Sequence, residues 1–530
     1  MAGLLRTNVA VAAGTALSRV TGVARVAVLG AVLGTPSAVA DAYDLANSSP
    51  NLVYELLLGG ILSSTLVPVL TRLREENDDD GTSAVLSVSA IALVALTAVA
   101  VLAAPLVFGL YSLLTADGVD VGEYRSVGTA LARLFLVQVF FYGITALASG
   151  LLASRRRFFA AAWSPVLSNL VIIAALLVVP SVAAAPLALA DVLDDDRLRW
   201  LLGGGTTLGI AVMALAMLPA VARLGIRIRF RPDMGHPAVR SLLRMSAWTL
   251  GYVAANQVAL VVIRNLLRGG DGSAFAYSRA FLWFVLPHAL LAMSIITTFQ
   301  PDLAAAWVRR DGDDLARRTT SGVRLIALLT LPAGVGLFVL REPLVAAAFQ
   351  HGSATAADTA ITADALAGFA LGLVGFSVYL FTLRVFYARE DARTPFWLNV
   401  FENALNIALA VVLVDRFGLV GLTASFAIAY AVSAVVALTV LEKRVREIAF
   451  RPLFDGVAYL AVAAAVMGVT VWFVTERVGG TVGAAAVLRL AAGTVTGIAV
   501  YAAALLAMRS ADLSALRQVL SRGRAGRRGG

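Results

Sequence analysis

The chain has 530 residues, 59% of them hydrophobic and 14% charged, with a formal net charge of +10 and a mean hydropathy of +0.84. Soluble domains are about 45–50% apolar and about 25% charged. A core cannot absorb so large an excess, because interior volume grows only with surface to solvate it; a cytosolic enzyme, a secreted domain and a disordered chain are excluded, and an all-α polytopic membrane protein is left.

Apolar runs of about 20 residues or more read as membrane helices. Fourteen are expected, near 9–33, 39–71, 84–113, 126–153, 160–183, 200–223, 242–267, 273–307, 321–349, 360–388, 395–414, 418–441, 456–475 and 484–508. The first is too long for a signal-peptide core and carries Arg19 and Arg25, so no cleavable leader is expected. Arg19 lies about ten residues into helix 1, roughly 15 Å deep at about 1.5 Å per residue, and Arg25 lies about 120° further round. Each costs about 2.5–3.5 kcal/mol at a helix centre unless a partner or water receives it. Helix 2 brings Asp41 and Asp44 at its outer end and Glu55 on nearly the same face. Arg279 falls early in helix 8. Arg133, Arg264 and Arg489 lie nearer helix ends and read as structural, snorkelling side chains. Helix 11 has a polar side of Asn399, Glu402, Asn403 and Asn406. A salt bridge from Asp41 to Arg19 or Arg25 is weighed against direct contact with a ligand. Three cations outnumber what Asp41 can neutralise, so the set calls for an anion; arginine suits phosphate because its planar fork donates two parallel hydrogen bonds and stays charged.

Breakers punctuate these runs. Pro50, Pro68, Pro165, Pro287, Pro301 and Pro332 permit bending, and Gly59-Gly60 and Gly203-Gly204-Gly205 permit close packing. There is no cysteine, and His236, His288 and His351 have no ligand spacing, so thiolate, iron–sulfur and zinc chemistry have nothing to work with and no resident cofactor or metal is expected. No motif places a base beside a nucleophile, so an enzyme is not expected.

Arginine sets the topology. The even-numbered connections hold Arg72 and Arg74; Arg155 to Arg157; Arg223 to Arg244; Arg309 to Arg324; Arg389 and Arg393; and Lys443 to Arg451, and the tail adds Arg509, Arg517, Arg522, Arg524, Arg527 and Arg528. The positive-inside rule puts both termini in the cytoplasm. It also explains the basic excess by anionic phospholipid headgroups rather than nucleic acid.

An internal repeat is visible. "LASRRRFFAAAWSPVLSNLVI" from Leu152 resembles "YAREDARTPFWLNVFENALNI" from Tyr387, the stretch from Asp41 resembles that from Phe275, and that from Gln138 resembles that from Gly372, all at offsets near 234. Six helices lie within one offset, so the two copies insert the same way up, as in two-lobed transporters whose site lies between the halves. The expected division is an N-terminal lobe over 1–235, a C-terminal lobe over 236–451, two additional helices over 452–508 and a basic tail over 509–530.

"SRVTGVAR" (Ser18 to Arg25), "ADAYDLANSSPNLVYELLLGGILSSTLVPVL" (Ala40 to Leu70) and "FYAREDARTP" (Phe386 to Pro395) together resemble the MurJ, or MviN, family of the multidrug/oligosaccharidyl-lipid/polysaccharide exporter superfamily. The resemblance spans essentially all fourteen runs. It implies a flippase that moves undecaprenyl-pyrophosphate-linked disaccharide pentapeptide, lipid II, across the bacterial cytoplasmic membrane for peptidoglycan synthesis by alternating access. It also implies that Arg19, Arg25, Asp41 and Arg279 bind the pyrophosphate and sugar end, and that helices 13 and 14 form a groove for the polyprenyl tail. Tyr54 and Glu55 stand where many relatives carry basic residues, and Val26 where an acid is usual. Sodium-binding relatives place ligands on helices 7 and 11; here Glu402 with Asn399 or Asn403 supplies the helix 11 part, while helix 7 offers only Asn256 and Gln257. A monovalent cation or the membrane potential alone are therefore both candidate driving forces. Two other functions stay open: export of another polyprenyl-linked glycan or a drug, and a non-transporting scaffold for cell-wall synthesis proteins, in which the basic tail would be a docking segment.

Overall fold

A computed structural model describes residues 2–34, 37–57, 66–155, 157–183, 187–226, 228–351, 354–389, 391, 393–445, 447–448 and 450–507. Among these the chain is helical, with no named strand and one isolated bridge between Thr115 and Gly269. It divides into two compact units, Met1–Phe275 with His351–Ala354, and Ala276–Gln350 with Thr355–Gly530.

In the first unit, α1 (Ala2–Leu33) is followed by α2 (Ala38–Leu57), α3 (Val67–Glu75), α4 (Asp79–Leu102), α5 (Ala104–Tyr111), α6 (Val121–Leu136), α7 (Gln138–Ser154) and α8 (Phe159–Val178). The short α9 (Leu189–Asp194) and α10 (Asp196–Arg199) lead through a π-helical turn, Trp200–Gly204, into α11 (Gly205–Leu215), α12 (Leu218–Ala222) and α13 (Pro237–Leu266). Starts are set by local capping: the Asp78 side chain accepts from the Gly81 N–H at 2.7 Å and that of Asp120 from the Glu123 N–H at 2.9 Å, satisfying amides that a helix leaves open at its N-terminus. The glycine run expected to allow close packing does so: a Cβ on Gly205 would lie 2.5 Å from Ala175 of α8.

In the second unit, α14 (Ser273–Pro287), whose first turn still belongs to the first unit, meets a π-helical turn (His288–Ala292) before α15 (Met293–Val308). A proline lacks the N–H that would continue the ladder, and the register slips just beyond it. Then follow α16 (Gly312–Val339), α17 (Arg341–Phe349), α18 (Ala356–Leu371), α19 (Leu373–Ala388), α20 (Arg393–Arg444), α21 (Phe450–Arg477) and α22 (Ala484–Ala507). Gly418, at φ 52°, divides α20 into two helices, a conformation glycine adopts without steric cost. The core packs α16, α19 and α20 with α21 and α22, including Phe381, Phe386, Leu460 and Met467.

Every expected apolar run contains helix, but the runs and helices are not one to one. Run 39–71 holds α2 and α3, run 321–349 holds α16 and α17, and run 360–388 bends by 47° between α18 and α19. Ten helical stretches are long and apolar enough to cross a membrane, or eleven with that bent pair counted as one span, among the described residues. Helix starts recur in order: α4, α5, α6, α7 and α8 begin at 79, 104, 121, 138 and 159, and α16, α17, α18, α19 and α20 begin at 312, 341, 356, 373 and 393. The spacing stays near that of the sequence repeat.

Candidate functional site

Helix α1 is held on α8 by polar contacts. Trp163 Nε1 donates to the Ala10 carbonyl at 2.9 Å, and Asn169 Nδ2 donates to the Ser18 carbonyl at 3.2 Å and to Thr21 Oγ1 at 3.0 Å. These contacts account for the non-arginine part of the "SRVTGVAR" element. They leave Arg19 exposed and Arg25 partly exposed, and neither has a hydrogen-bonded or ion-paired partner among the described residues. Arg25 lies close enough to the buried Tyr43 and the half-buried Tyr142 to act on them electrostatically. Tyr43 is itself fixed by a 2.5 Å hydrogen bond to Thr206 Oγ1.

Asp41 bridges neither arginine. It is fully buried, and its carboxylate receives three backbone N–H groups from the turn that starts α14: Gly270 at 2.8 Å and Gly272 at 2.9 Å on Oδ2, and Phe275 at 2.9 Å on Oδ1. The carboxylate therefore caps the turn at the head of α14 from another helix. Its neighbour one turn on, Asp44, accepts from Arg264 Nη1 of α13 at 2.8 Å, and Ser48 receives the other guanidinium nitrogen at 3.3 Å. Arg264 is structural, as expected, but by burial and pairing rather than by snorkelling. Arg489 likewise pairs with Glu476 at 3.0 Å, while Arg133 is exposed.

In the second unit Arg279 is 1% exposed, its guanidinium 4.5 Å from the centroid of the Phe349 ring. Asp358, which closes a capping box with Thr355 at the start of α18, acts on it electrostatically. On α20, Asn399, Glu402, Asn403 and Asn406 are all buried; Asn403 Nδ2 donates to the Asn399 carbonyl at 2.9 Å, and Asn406 accepts from Ser425 Oγ at 3.0 Å. No group of three or more His, Cys, Asp or Glu that could hold a metal occurs among the described residues. Gln257 of α13 is buried and Asn256 half-buried in the first unit. The side chains of Tyr54 and Glu55, and the tail 509–530, lie outside the described residues.

The "YAREDARTP" element resolves into a helix-start device. Asp391 accepts from the Arg393 and Thr394 N–H groups at 3.1 and 3.0 Å, from Thr394 Oγ1 at 2.7 Å and from Arg444 Nη1 at 2.6 Å. Partial burial opposes its charge, but the bonds from Thr394 and the charge of Arg444 prevail and hold the carboxyl below its ordinary value. Arg389 lies 4.9 Å over the Trp307 ring. The Asp44–Arg264 pair and the Asp41 turn were not read from the sequence. Their signals were an Asp pair three apart on one helix face, an arginine inside an apolar run and the turn-forming "RGGDG" at 268–272.

The family model described as "Lipid II flippase MurJ" matches residues 29–493. A "Probable lipid II flippase MurJ" of Rhizobium meliloti (strain 1021) is 29% identical over 518 residues, 96% of this chain and 94% of the relative. The "Lipid II flippase MurJ" of Burkholderia cenocepacia is 29% identical over 449 residues, 83% of this chain and 84% of the relative. Among solved structures, a lipid II flippase MurJ in an inward closed conformation superposes with a TM-score of 0.76 at 20% identity, covering 94% of this chain and 98% of that one. An inward-facing MATE transporter of the MOP superfamily follows at 0.67 and 17% identity, covering 81% and 94%. At these identities the structures speak for a shared fold.

Proposed function

The chain belongs to the lipid II flippase MurJ family, and on that premise we propose that it carries lipid II from the inner to the outer leaflet of a bacterial cytoplasmic membrane by alternating access. The observation that carries the reading is the pair Arg19 and Arg25 within the largely apolar run of α1, without an ion-pair or hydrogen-bond partner among the described residues. Two such charges cost about 2.5–3.5 kcal/mol each at mid-depth, and an anionic headgroup offsets that cost. Their guanidinium forks replace the hydration of the pyrophosphate. Arg279, whose guanidinium lies against the Phe349 ring, is proposed as a further headgroup contact. Asp41 serves the site by holding the turn at the head of α14. Headgroup binding drives the change of state only through its differential affinity for the two states.

This reading keeps the fourteen spans, the lobes over 1–235 and 236–451 and the cytoplasmic termini; the recurring helix starts and the arginine alternation support it. Helices α21 and α22 take the polyprenyl tail. Val469, Val495 and Ile498 each expose more than two thirds of their surface there, an apolar wall suited to lipid. The membrane potential drives the return of the empty cationic site at about 2.3 kcal/mol per charge per 100 mV. The alternative seat of coupling is a monovalent cation at Glu402 with Asn399 and Asn403, and replacing sodium by choline in a transport assay separates the two.

The test is lipid II exposure at the outer membrane surface in cells depleted of the native protein. Arg25→Ala and Arg19→Ala insert and fold like the wild type, yet lipid II accumulates on the inner leaflet. Normal exposure with both variants excludes the arginine role, and truncation after Leu520 leaves transport intact if the basic tail is a topology signal only.

A further inference from the structure

The first unit contains a cavity of about 320 Å³ that none of the groups above uses. Ala90 of α4, Leu147 and Leu151 of α7, and Ile228, Arg229 and Phe230 from the segment after α12 help to line it. That segment alternates apolar side chains with arginine, "IRIRFR" over Ile226 to Arg231. It is laced to α4 through its backbone: the Arg229 N–H donates to Ser83 Oγ at 3.1 Å, the Arg231 N–H to Ser87 Oγ at 2.9 Å, and Ser87 Oγ donates to the Arg229 carbonyl at 3.3 Å. Arg231 is also tied to Asp80 at 2.5 Å. Residues two apart in such a strap share a side, so Ile228 and Phe230 lie together at the cavity while remaining 46% and 77% exposed. The backbone is pinned and the apolar side chains are left open, which is the arrangement of a lipid-facing wall rather than a sealed core.

Charge completes the site. Arg231 has its carboxylate, but the exposed Arg229 has no ion-pair partner among the described residues. The strap sits in the connection that carries the most arginines, on the side the positive-inside rule assigns to the cytoplasm. Ligand pockets run from about 300 to 1,000 Å³, so this one takes a single hydrocarbon chain and leaves the headgroup outside, beside Arg229.

We propose that this cavity is a binding site for an anionic glycerophospholipid of the arginine-side leaflet, with one acyl chain between α4, α7 and the strap and the phosphate on the guanidinium of Arg229. The proposal rests on the chain spanning a membrane with that side inward, not on what the chain transports, so its failure and that of the flippase reading are separable.

The experiment is native mass spectrometry of the full chain released from detergent micelles, with phosphatidylglycerol or phosphatidylcholine of identical acyl chains added at equal molar excess. The wild type retains one phosphatidylglycerol at an occupancy at least fivefold above phosphatidylcholine. Arg229→Ala lowers phosphatidylglycerol to the phosphatidylcholine level, and Ala90→Phe, which fills the cavity, lowers both. Arg317→Ala, which removes an equal charge from an exposed side chain of α16, leaves retention unchanged. Equal retention of the two lipids by the wild type, undiminished retention by Arg229→Ala, or an equal fall with Arg317→Ala overturns the proposal. Since Arg229 is exposed, its variant decides the matter even where Ala90→Phe does not fold.

Discussion

Replacing Asp41 separates a structural carboxylate from one that touches substrate. Asp41→Ala removes the acceptor of three buried N–H groups, those of Gly270, Gly272 and Phe275. A buried donor left unsatisfied costs about 1–3 kcal/mol, so the intact turn becomes less stable by about 3 kcal/mol or more, with water admitted to the site keeping the figure toward the lower end. The loss is local, and a chain of two compact units does not melt as one two-state body, so amide hydrogen exchange of residues 268–276 is the fitting assay. At about 1.4 kcal/mol per tenfold, protection of that segment falls at least 100-fold in Asp41→Ala. Asp41→Asn retains one oxygen acceptor but turns an NH2 toward the other donors, and falls by an intermediate amount. Arg25→Ala leaves the segment at wild-type protection. Wild-type protection in Asp41→Ala together with lost lipid II transport would refute this reasoning and return Asp41 to the substrate.

The pair Asp44–Arg264 is largely withdrawn from solvent, with side chains 16% and 10% exposed. Removing one member strands the other charge, at about 3–5 kcal/mol. Arg264→Ala therefore lowers detergent-extracted yield and thermal stability, and the double variant Asp44→Asn with Arg264→Gln recovers most of the loss; equal damage from the double variant would argue that the pair is not the cause. Asp391, outside the membrane spans, is held below its ordinary value. A depressed carboxyl contributes stability above its unfolded value, and that contribution is lost as pH falls through the folded value. The wild type thus melts higher than Asp391→Asn at pH 7, the gap closes below about pH 4, and a gap constant down to pH 3 counts against the charged network with Arg444.

What the sequence disclosed and what it hid divide along contact range. The helices were legible from the length of the apolar runs, but their starts lie four or five residues ahead of the runs near 84, 126 and 360, where Asp78, Asp120 and Thr355 cap the first turns. The repeat was legible because three stretches recur at one offset, and the helix starts follow it: α6 and α7 begin at 121 and 138 and α18 and α19 at 356 and 373. Partners were not legible. Asp41 and Asp44 look alike in sequence, one helical turn apart on α2, yet one binds backbone 229 to 234 residues away and the other a guanidinium 220 residues away. Nothing local distinguishes them, since the choice is made by which segment the fold brings past each carboxylate. The cations divide in the same way. Arg264 met an acid and Arg279 an aromatic face, while Arg19 and Arg25, on a helix whose polar contacts are spent on α8, met neither. The sequence set Arg264 apart as structural and grouped Arg279 with Arg19 and Arg25; in the fold Arg279 lies against Phe349, while the two arginines of α1 stay at least partly exposed.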